Sequence, residues 1–291
     1  MPELPEVQTI VSELDKIIKN KTIKTIEVRA AKLALPSAKI LVSQLKNKKI
    51  HGVSRRGKMI IIDLGGDHNV LIHLRMTGQL VYQKPKDKNG RAGAISGGQT
   101  VANLGELPNK FSHIIIKFTD GSTLYFNDQR KFGWMKYVDN ARRELEKQKY
   151  GVEPFDREYR FDWFKAILKR YQNKKIKQLL LDQDKIAGIG NIYADESLFA
   201  AGILPTRLAG SLRRQEAKKI FEAIPRVLKL AIASGGTSAD NYVRTDGSQG
   251  GMKKYLKVYG RTGEKCQRCG GVVKKMKLGG RGTHFCMKCQ K

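Results

Sequence analysis

The sequence predicts an α+β protein of several domains: an N-terminal β-sandwich with a leading helix, a C-terminal helical domain and a small zinc-ribbon hairpin. Three observations support this class. Short β-branched or aromatic runs fill the first half of the chain, and helical periodicity dominates from about residue 156. All four cysteines lie between Cys266 and the last residue, Lys291, in paired spacing.

The leading helix is predicted from apolar residues that recur at three- and four-residue steps. They are Val7, Ile10, Val11, Leu14, Ile17 and Ile18. Turn pairs such as Gly65-Gly66 and Asp120-Gly121 separate the runs that follow. The predicted strands are Thr22–Val28, Met59–Leu64, Val70–Leu74, Ile114–Phe118, Thr123–Phe126 and Trp134–Val138. This alternation predicts a sandwich in the first half.

The domain boundaries follow from changes of composition. We predict a catalytic β-sandwich over residues 1–138, a linker over 139–155, a helical domain over 156–252 and a zinc finger over 253–291. Residues 84–110 are glycine-rich, have almost no apolar periodicity and are predicted to be a flexible insertion. The predicted helices of the second half are Phe161–Tyr171, Lys175–Leu181, Ile192–Ala201 and Ser211–Ala233.

The charge of the chain points to a polyanionic partner. Lysine and arginine number 56 against 27 acidic residues, a formal net charge of +29. Nucleic acid is the leading candidate; a ribosomal protein or a soluble enzyme with a lysine-rich surface is the alternative. The sequence has no run of 18 apolar residues, and its start lacks the basic and apolar regions of a signal peptide. We therefore expect a cytoplasmic protein that does not enter a membrane.

The cysteines predict one structural zinc ion. Cys266-x2-Cys269 and Cys286-x2-Cys289 are two knuckles 16 residues apart, which is the spacing of four-thiolate zinc sites. Disulfides and an iron centre are the alternatives. Arg281 lies between the knuckles, in the tip Gly279-Gly280-Arg281-Gly282, where it could meet a phosphate or remain a solvated surface arginine.

The start of the chain offers a nucleophile. Removal of Met1 would leave Pro2 with a free secondary amine, which is less basic than lysine and can attack an aldehyde-level carbon. A helix beginning at this point would lower its pKa further, and Glu3 could move protons. The alternative is an ordinary helix start, with proline and an acid in the first turn.

Several motifs, in order along nearly the whole chain, resemble the formamidopyrimidine-DNA glycosylase family. They are Pro2-Glu3-Leu4-Pro5-Glu6-Val7, Arg55-Arg56-Gly57-Lys58, His73-Leu74-Arg75-Met76-Thr77-Gly78, Asn127-Asp128-Gln129-Arg130-Lys131-Phe132-Gly133, Ala187-Gly188-Ile189-Gly190-Asn191-Ile192-Tyr193-Ala194 and Val258-Tyr259-Gly260-Arg261. The fifth of these looks like the family's helix–two-turn–helix element.

The resemblance implies an enzyme that removes 8-oxoguanine and formamidopyrimidines from duplex DNA and then cleaves the abasic site by β,δ-elimination. Pro2 would form the Schiff base, Glu3 would handle protons at the sugar, and Lys58 would bind phosphate and assist strand cleavage. The remaining DNA contacts implied are His73, Met76, Arg130, Phe132, Lys177, Asn191 and Arg281, with Arg281 also assigned to the catalytic set.

Elementary chemistry agrees with these roles. A sugar carbon inside a stacked duplex cannot be attacked, so the nucleotide must flip out at a cost of a few kcal/mol. Met76 and Phe132 suit the wedge that replaces lost stacking, and Arg130 suits the partner base. Without the other motifs, the alternative interpretation is that Met76 and Phe132 are core residues.

The chain also departs from the family's usual pattern. Gln129 stands where proline is usual and Lys131 where arginine is frequent. The insertion over 84–110 is longer than usual and blurs the alignment near 111–113. The loop over 240–254 is expected to cap the flipped base, with its base contacts unassigned.

Two other functions remain open at this point. One is an endonuclease VIII-like enzyme acting on oxidised pyrimidines, although that group usually has glycine where Leu4 stands. The other is a non-catalytic zinc-ribbon DNA-binding protein. Because one site per chain suffices for either enzyme, we expect a monomer, acting at the bacterial nucleoid. The ranking of lesions, the preferred opposite base and the purpose of the insertion do not follow from the sequence.

Overall fold

The structure is a computed structural model that describes residues 1–85, 94–99, 107–237, 242–243 and 250–291. The chain forms two compact units. Unit 1 comprises residues 1–148 and 234–251, and unit 2 comprises 149–233 and 252–291. No helix in the described ranges has the length and apolar character needed to cross a bilayer.

Unit 1 begins with helix α1 (Leu4–Ile18). Glu3 is the N-cap, and a capping box joins it to Glu6, so two backbone N–H groups of the first turn are satisfied by carboxylates. Pro5 in the first turn needs no hydrogen-bond acceptor. The apolar face predicted from the sequence is buried, which confirms the leading helix.

Two sheets follow α1 and form the predicted sandwich. The six-stranded sheet has the order β1-β8-β9-β6-β7-β11, and the five-stranded sheet has the order β2-β10-β5-β4-β3. Neighbouring strands are antiparallel except β2 and β10. The strands are β1 (Ile23–Val28), β2 (Ala34–Leu35), β3 (Gly52–Arg56), β4 (Met59–Asp63), β5 (Asn69–His73), β6 (Gly78–Gln83), β7 (Ala94–Gln99), β8 (Ser112–Phe118), β9 (Thr123–Asp128), β10 (Trp134–Val138) and β11 (Tyr242–Val243).

The core of unit 1 lies between these sheets and the helices packed on them. Alternate residues of β4, β5 and β9 join the apolar face of α1 in one buried cluster that includes Ile10, Ile60, Ile72 and Phe126. Helix α2 (Ala38–Leu45) adds Leu41 and Leu45, and the Ser37 hydroxyl caps it by accepting the Ile40 N–H at 3.2 Å. The predicted β-sandwich class is confirmed.

Several elements of unit 1 were not predicted from the sequence: α2, β2, β3, β6 and β11, and the two that lie in the expected insertion and linker, β7 and α3. Within the expected flexible insertion, β7 pairs with β6, so that Gln79 stands opposite Gly98; residues 86–93 and 100–106 lie outside the described part. A glycine-rich strand shows no apolar alternation, which explains why the pattern predicted only a loop. The expected linker over 139–155 contains helix α3 (Asn140–Gln148), whose Glu146 pairs with Lys136 of β10 at 2.6 Å.

Unit 2 contains the predicted helices and the metal-binding hairpin. Its elements are α4 (Phe161–Arg170), α5 (Ile176–Leu181), α6 (Asn191–Ala201), α7 (Arg214–Ala233), β12 (Lys274–Leu278) and β13 (Arg281–Phe285). Nearly every residue of α6 is buried, so α6 is the central element of this unit.

One boundary between the two units falls between residues 251 and 252, next to the expected start of the zinc finger, but the zinc finger and the helices before residue 234 lie in one unit. Residues 234–251 belong to unit 1, whereas the cysteine-bearing segment belongs to the same unit as the helices. The physical reason is a shared apolar cluster in which Phe199 of α6 packs with Val258, Val273 and Cys286.

Candidate active site

The amino end of the chain lies at the start of α1. Met1 keeps 36% of its surface exposed, while Pro2 and Glu3 are buried. Pro2 comes one residue before the N-cap, at the positive end of a 15-residue helix. That field lowers the pKa of an amine placed there, because it disfavours the protonated form. Glu3 serves as the helix cap, and a carboxylate has further lone pairs for proton transfer.

Glu6 fixes the backbone next to Pro2. One of its carboxylate oxygens accepts the Glu3 N–H at 2.9 Å, and the other accepts the Thr237 N–H at 2.8 Å. The carboxylate therefore ties the segment after α7 to the start of α1. Sequence reasoning assigned Glu6 no role, although the Glu3-x-x-Glu6 spacing of a capping box was its signal.

Lys58 is the second residue of the two-residue turn between β3 and β4. Gly57 adopts φ +57°, which a residue with a side chain rarely takes. Next to this turn, the Arg55 Nε donates to the Gln8 Oε1 of α1 at 2.7 Å, so the turn is tied to the leading helix. The Lys58 side chain is buried, and its neighbour Met59 pairs with His73 of β5.

His73 is held in its neutral form. Burial, and then the charges of Arg75 and Lys58, lower the pKa of its imidazole to about 3. Its Nδ1 accepts the backbone N–H of Arg75 at 3.0 Å, so the ring proton resides on Nε2. His73 can therefore donate one hydrogen bond to an anion without carrying a charge.

Two loops of unit 1 expose large apolar side chains. We call residues 74–78 and 128–133 the wedge loops. Met76 is 37% exposed and Phe132 is 53% exposed, so neither is a core residue. The Arg130 guanidinium lies 4.6 Å from the centre of the Phe132 ring, a cation–π arrangement that holds both side chains together.

Asp128 organises both wedge loops from a fully buried position. One carboxylate oxygen accepts the Thr77 hydroxyl of the first loop and the Arg130 N–H at 3.1 Å. The other accepts the N–H groups of Phe132 at 2.8 Å and Gly133 at 2.6 Å. Sequence reasoning quoted Asp128 only as part of a motif, because nothing in a linear pattern shows which side chain turns inward.

Each wedge loop contains one residue with left-handed backbone. Arg75 has φ +51° and Lys131 has φ +54°. This conformation costs a non-glycine residue about 1–2 kcal/mol. The hydrogen bonds to Asp128 and the close approach of Gly78, whose added Cβ would lie 2.4 Å from the Leu74 carbonyl, hold the loops in place.

In unit 2, the turns between α5 and α6 are shaped by Gln183. Its amide nitrogen donates to the carbonyls of Leu181 at 2.9 Å and Ile189 at 2.7 Å, and its oxygen accepts the Gly188 N–H at 3.0 Å. Gly188 adopts φ +91°. The result is a fixed turn that ends at Asn191, the first residue of α6, where helix N–H groups favour anions.

Asn191 and the hairpin tip are held together. The Asn191 Nδ2 donates to the Gly282 carbonyl at 2.9 Å, next to the exposed Arg281. Gly279 and Gly280 form the turn of the hairpin with φ +56° and +75°, the combination of a two-residue type I′ turn. The structure thus brings two of the predicted phosphate-binding residues to one place.

Lys177 requires a correction. Its side chain and that of Asp195 are both 0% exposed, and the Lys177 Nζ lies 2.7 Å from the Asp195 carboxylate. The same ammonium donates to the Gly282 carbonyl at 3.0 Å and the Thr283 hydroxyl at 2.8 Å. An ammonium enclosed in this way cannot reach a phosphate, so the expected direct DNA contact conflicts with this arrangement. Asp195 also accepts the His284 N–H at 2.8 Å.

The four cysteines converge as predicted. Their sulfur atoms all lie within 4.8 Å of one another, with 3.8 Å between Cys266 and Cys289 and 3.5 Å between Cys269 and Cys286. Tetrahedral Zn²⁺ with bonds of about 2.3 Å requires sulfur separations of about 3.8 Å. The donor set therefore fits one structural zinc ion.

Comparison with known proteins gives matches along the chain. Residues 1–135 match the formamidopyrimidine-DNA glycosylase N-terminal domain, residues 150–242 match the H2TH domain of the same proteins, and residues 263–291 match the zinc finger found in FPG and IleRS. The formamidopyrimidine-DNA glycosylase of Carboxydothermus hydrogenoformans is 40% identical, with all of both chains covered. The chain belongs to the formamidopyrimidine-DNA glycosylase family.

Solved structures of this glycosylase family agree. A point mutant of the Lactococcus lactis FPG in complex with Fapy-dG containing DNA has a TM-score of 0.87 at 36% identity, with all of both chains covered. The wild-type Lactococcus lactis FPG in complex with DNA containing an oxidised pyrimidine has a TM-score of 0.85 at 36% identity, again with full coverage. The resemblance, the fold class, the glycosylase and lyase class and the zinc finger are thereby confirmed.

Proposed function

We propose that this glycosylase excises oxidised purines from duplex DNA and then cleaves the strand at the abasic site. Two features support the substrate class: the full-length similarity to an FPG bound to Fapy-dG containing DNA, and the family's opening motif with Leu4 fully buried. With its net charge of +29, the chain suits a polyanionic partner. Since its substrate is the chromosome, we place the enzyme in the bacterial cytoplasm at the nucleoid, acting as a monomer.

Pro2 is the nucleophile of this reaction. Once Met1 is removed, the Pro2 nitrogen attacks C1′ of the flipped nucleotide, a bond to C1′ forms and the bond to the base breaks. Glu3 protonates the ring oxygen as the sugar opens to the iminium. Loss of a proton from C2′ then expels the 3′ phosphate, and a second elimination expels the 5′ phosphate. Water finally releases the sugar fragment from Pro2.

The remaining residues bind and orient the strand. Lys58 carries a positive charge for the phosphate that leaves, and neutral His73 donates from Nε2 to a phosphate oxygen. Asn191, at the start of α6, and Arg281, at the hairpin tip, bind phosphates from neighbouring positions, because the Asn191 amide donates to the Gly282 carbonyl. Lys177 acts as a positioning residue, because its bonds to Gly282 and Thr283 hold the strand that carries Arg281.

The wedge loops fill the gap left by the flipped nucleotide. Met76 and Phe132 replace lost stacking, and Arg130 offers planar donors to the orphaned partner base. Met76 and Phe132 are exposed, whereas the large apolar residues of the neighbouring strands β5 and β9 are buried. This exposure supports the role.

One observation carries the proposal: a buried Pro2 precedes an acid-capped helix, behind a single exposed residue that processing can remove. The test is borohydride trapping of the methionine-processed protein on an abasic duplex, followed by mass analysis of the adduct. We expect the adduct on the N-terminal peptide. A Pro2→Gln chain, which retains Met1, should give none, whereas Lys58→Ala should still be trapped. An adduct on a lysine refutes Pro2 as the nucleophile, and no adduct at all refutes the mechanism and leaves a zinc-bound DNA-binding protein.

Oxidised pyrimidines are a second substrate class. The favouring observation is the similarity to an FPG in complex with oxidised-pyrimidine DNA. Excision rates measured side by side on 8-oxoguanine and thymine glycol duplexes decide the ranking, and a higher rate on thymine glycol would reverse our assignment.

A further inference from the structure

Unit 2 contains a groove that the repair reaction does not use. We call it the α6–α7 groove. Its first half is a cavity of about 320 Å³ with mostly apolar walls, which include Phe199, Val227, Leu230, Met252 and Tyr255. Its second half is a polar cavity of about 530 Å³ along the start of α7. The two cavities share Ala200, Arg226 and Arg268, so they lie side by side.

The groove lies away from the DNA-binding end of α6. Asn191, proposed to bind phosphate, is the first residue of the helix, whereas Phe199 and Ala200 lie eight and nine residues later. At a rise of 1.5 Å per residue, the groove is about 12 Å further along the helix axis. A ligand in the groove and a phosphate at Asn191 can therefore be bound at the same time.

The acids near the groove are already engaged. Glu196 accepts the backbone N–H groups of Lys257, Val258 and Tyr259 at 2.8 to 3.1 Å. Glu216 pairs with Arg207 at 3.3 Å and Arg213 at 3.4 Å.

Several cations of the groove are not neutralised in this way. Glu222, another acid of the lining, pairs with Lys218 at 3.8 Å. In the described ranges, no acid lies within ion-pair distance of the groove cations Lys219, Arg226, Lys257 and Arg268. The groove therefore presents net positive charge beside an apolar cavity.

Arg268 is held in place for binding. Its guanidinium stacks over the Phe199 ring at 4.2 Å, and its Nη1 donates to the Phe199 carbonyl at 3.2 Å. Because these contacts already fix the Arg268 side chain, it loses little further conformational entropy when it binds a carboxylate. On the opposite wall, Arg226 and Leu230 are one helical turn apart on α7, so a cation and an exposed apolar side chain face the groove together.

From this arrangement we propose that the α6–α7 groove docks an acidic peptide segment of a partner protein, with one large apolar side chain inserted between Phe199 and Leu230. The carboxylates of the segment meet Arg226 and Arg268, and its backbone continues into the polar half of the groove. Bare phosphate backbone would satisfy the cations but would leave the apolar cavity unfilled, so the groove matches a peptide better than a nucleic acid.

The test uses full-length, zinc-loaded protein and a fluorescent octapeptide of six acidic residues followed by leucine and phenylalanine. A second peptide with serines in place of the last two residues controls for charge. In 150 mM salt, we expect the apolar peptide to bind about tenfold more tightly than the serine peptide, since one buried aromatic side chain is worth about that much. Equal binding of the two peptides overturns the proposal.

Matched variants separate the groove from the general basic surface. Arg226→Glu should weaken binding of the apolar peptide about tenfold or more. Lys229→Glu makes the same charge change on an exposed residue of the same helix that does not line the groove, and its effect should stay within about twofold. Leu230→Ser should remove the preference for the apolar peptide while leaving the serine peptide unchanged.

Competition with DNA gives the last outcome. A saturating lesion duplex should leave the affinity of the apolar peptide within about twofold, because the two sites are at opposite ends of α6. Displacement of the peptide in proportion to added duplex would mean that the groove cations bind nucleic acid. An equal loss of peptide affinity in Arg226→Glu and Lys229→Glu would mean that the peptide binds the general basic surface, and either result overturns the proposal. Glycosylase activity should be unchanged in Arg226→Glu and Leu230→Ser, which shows that these variants are folded.

Discussion

The wedge loops of unit 1 and the hairpin tip of unit 2 solve the same problem with different chemistry. In each region, a buried charged group holds the backbone that carries exposed side chains. In the wedge loops that group is Asp128, a single carboxylate surrounded by neutral N–H and hydroxyl donors. At the hairpin tip it is the Lys177–Asp195 pair, two opposite charges without solvent exposure.

The difference shows how tolerant each region is to change. A carboxylate bonded to neutral donors can lose one donor and keep its other bonds. A buried ion pair that loses one member leaves an uncompensated charge, which costs several kcal/mol. The hairpin also depends on four sulfur ligands, whereas the wedge loops depend only on the sheet. We therefore expect substitutions at the hairpin tip of unit 2 to lower stability more than substitutions at the wedge loops of unit 1.

Removal of zinc should have the largest effect. Structural zinc contributes about 10 kcal/mol or more to modules of this kind, so chelation should unfold residues 253–291 and lower affinity for a lesion duplex by about 100-fold or more. Trp134 reports on unit 1 and Trp163 on unit 2. In a Trp163→Phe background, the Trp134 fluorescence should not change on chelation. A change in Trp134 equal to that of Trp163 would show that the two units do not respond separately.

Next in size is Lys177→Met. It leaves the Asp195 carboxylate buried without its cation, and the free energy of unfolding should fall by about 3–5 kcal/mol. Urea unfolding followed by Trp163 in a Trp134→Phe background measures this. The double variant Lys177→Met/Asp195→Leu should recover most of the loss. If the double variant is as unstable as the single one, the ion pair is not the source of the effect.

A smaller loss is expected for Asp128→Asn. The amide nitrogen would face N–H donors, so at least one bond becomes repulsive and stability should fall by about 1–3 kcal/mol. KM for lesion duplex should rise more than kcat falls, because the loops bind rather than react. Thr77→Val removes the bond that the hydroxyl donates to Asp128 and the bond that it accepts from the Arg130 N–H at 3.0 Å, and it should give a smaller change because the carboxylate keeps its other donors. If KM is unaltered in both variants, the loops that Asp128 holds do not contribute to DNA binding.

An effect of similar size, but present only at acidic pH, concerns His73. Its folded pKa of about 3 lies below the usual 6.5, so the unfolded chain binds the extra proton between those values. The stabilisation is complete above about pH 6.5 and declines as the pH falls towards 3. Between pH 7 and pH 5, His73 should account for about 2 kcal/mol of lost unfolding free energy. His73→Gln should remove this slope, while His51→Gln, at an exposed position, should keep it.

Patterns local in sequence allowed much of this molecule to be predicted. The bounds Trp134–Val138 agree with the observed β10, and the leading helix, the later helices and the cysteine cluster also agree. Each depends on a period, a cap or a fixed spacing that few residues encode. Several elements were missed, among them α2, β3 and β6. Two of the missed elements have a plain reason: β7 is glycine-rich and α3 is almost entirely polar.

The candidate site was predicted less evenly. The exposed wedge residues and the start of the chain were found through motifs, and their roles as DNA contacts remain proposals. Motifs could not show that Lys177 points into a buried cluster or that Asp128 joins two loops 51 residues apart, counted from Thr77. Such contacts connect distant parts of the chain, and the direction of a side chain is decided only when the core has packed.

The tautomer of His73 also affects how ionic strength acts on the complex. Lysine and arginine contacts release bound counterions, so their contribution shrinks as salt is added. An uncharged imidazole that donates from Nε2 releases none, and its hydrogen bond survives at high salt. His73→Gln should therefore shift the logarithm of the DNA association constant by the same amount at every salt concentration, whereas Arg281→Ala should also make its dependence on salt less steep.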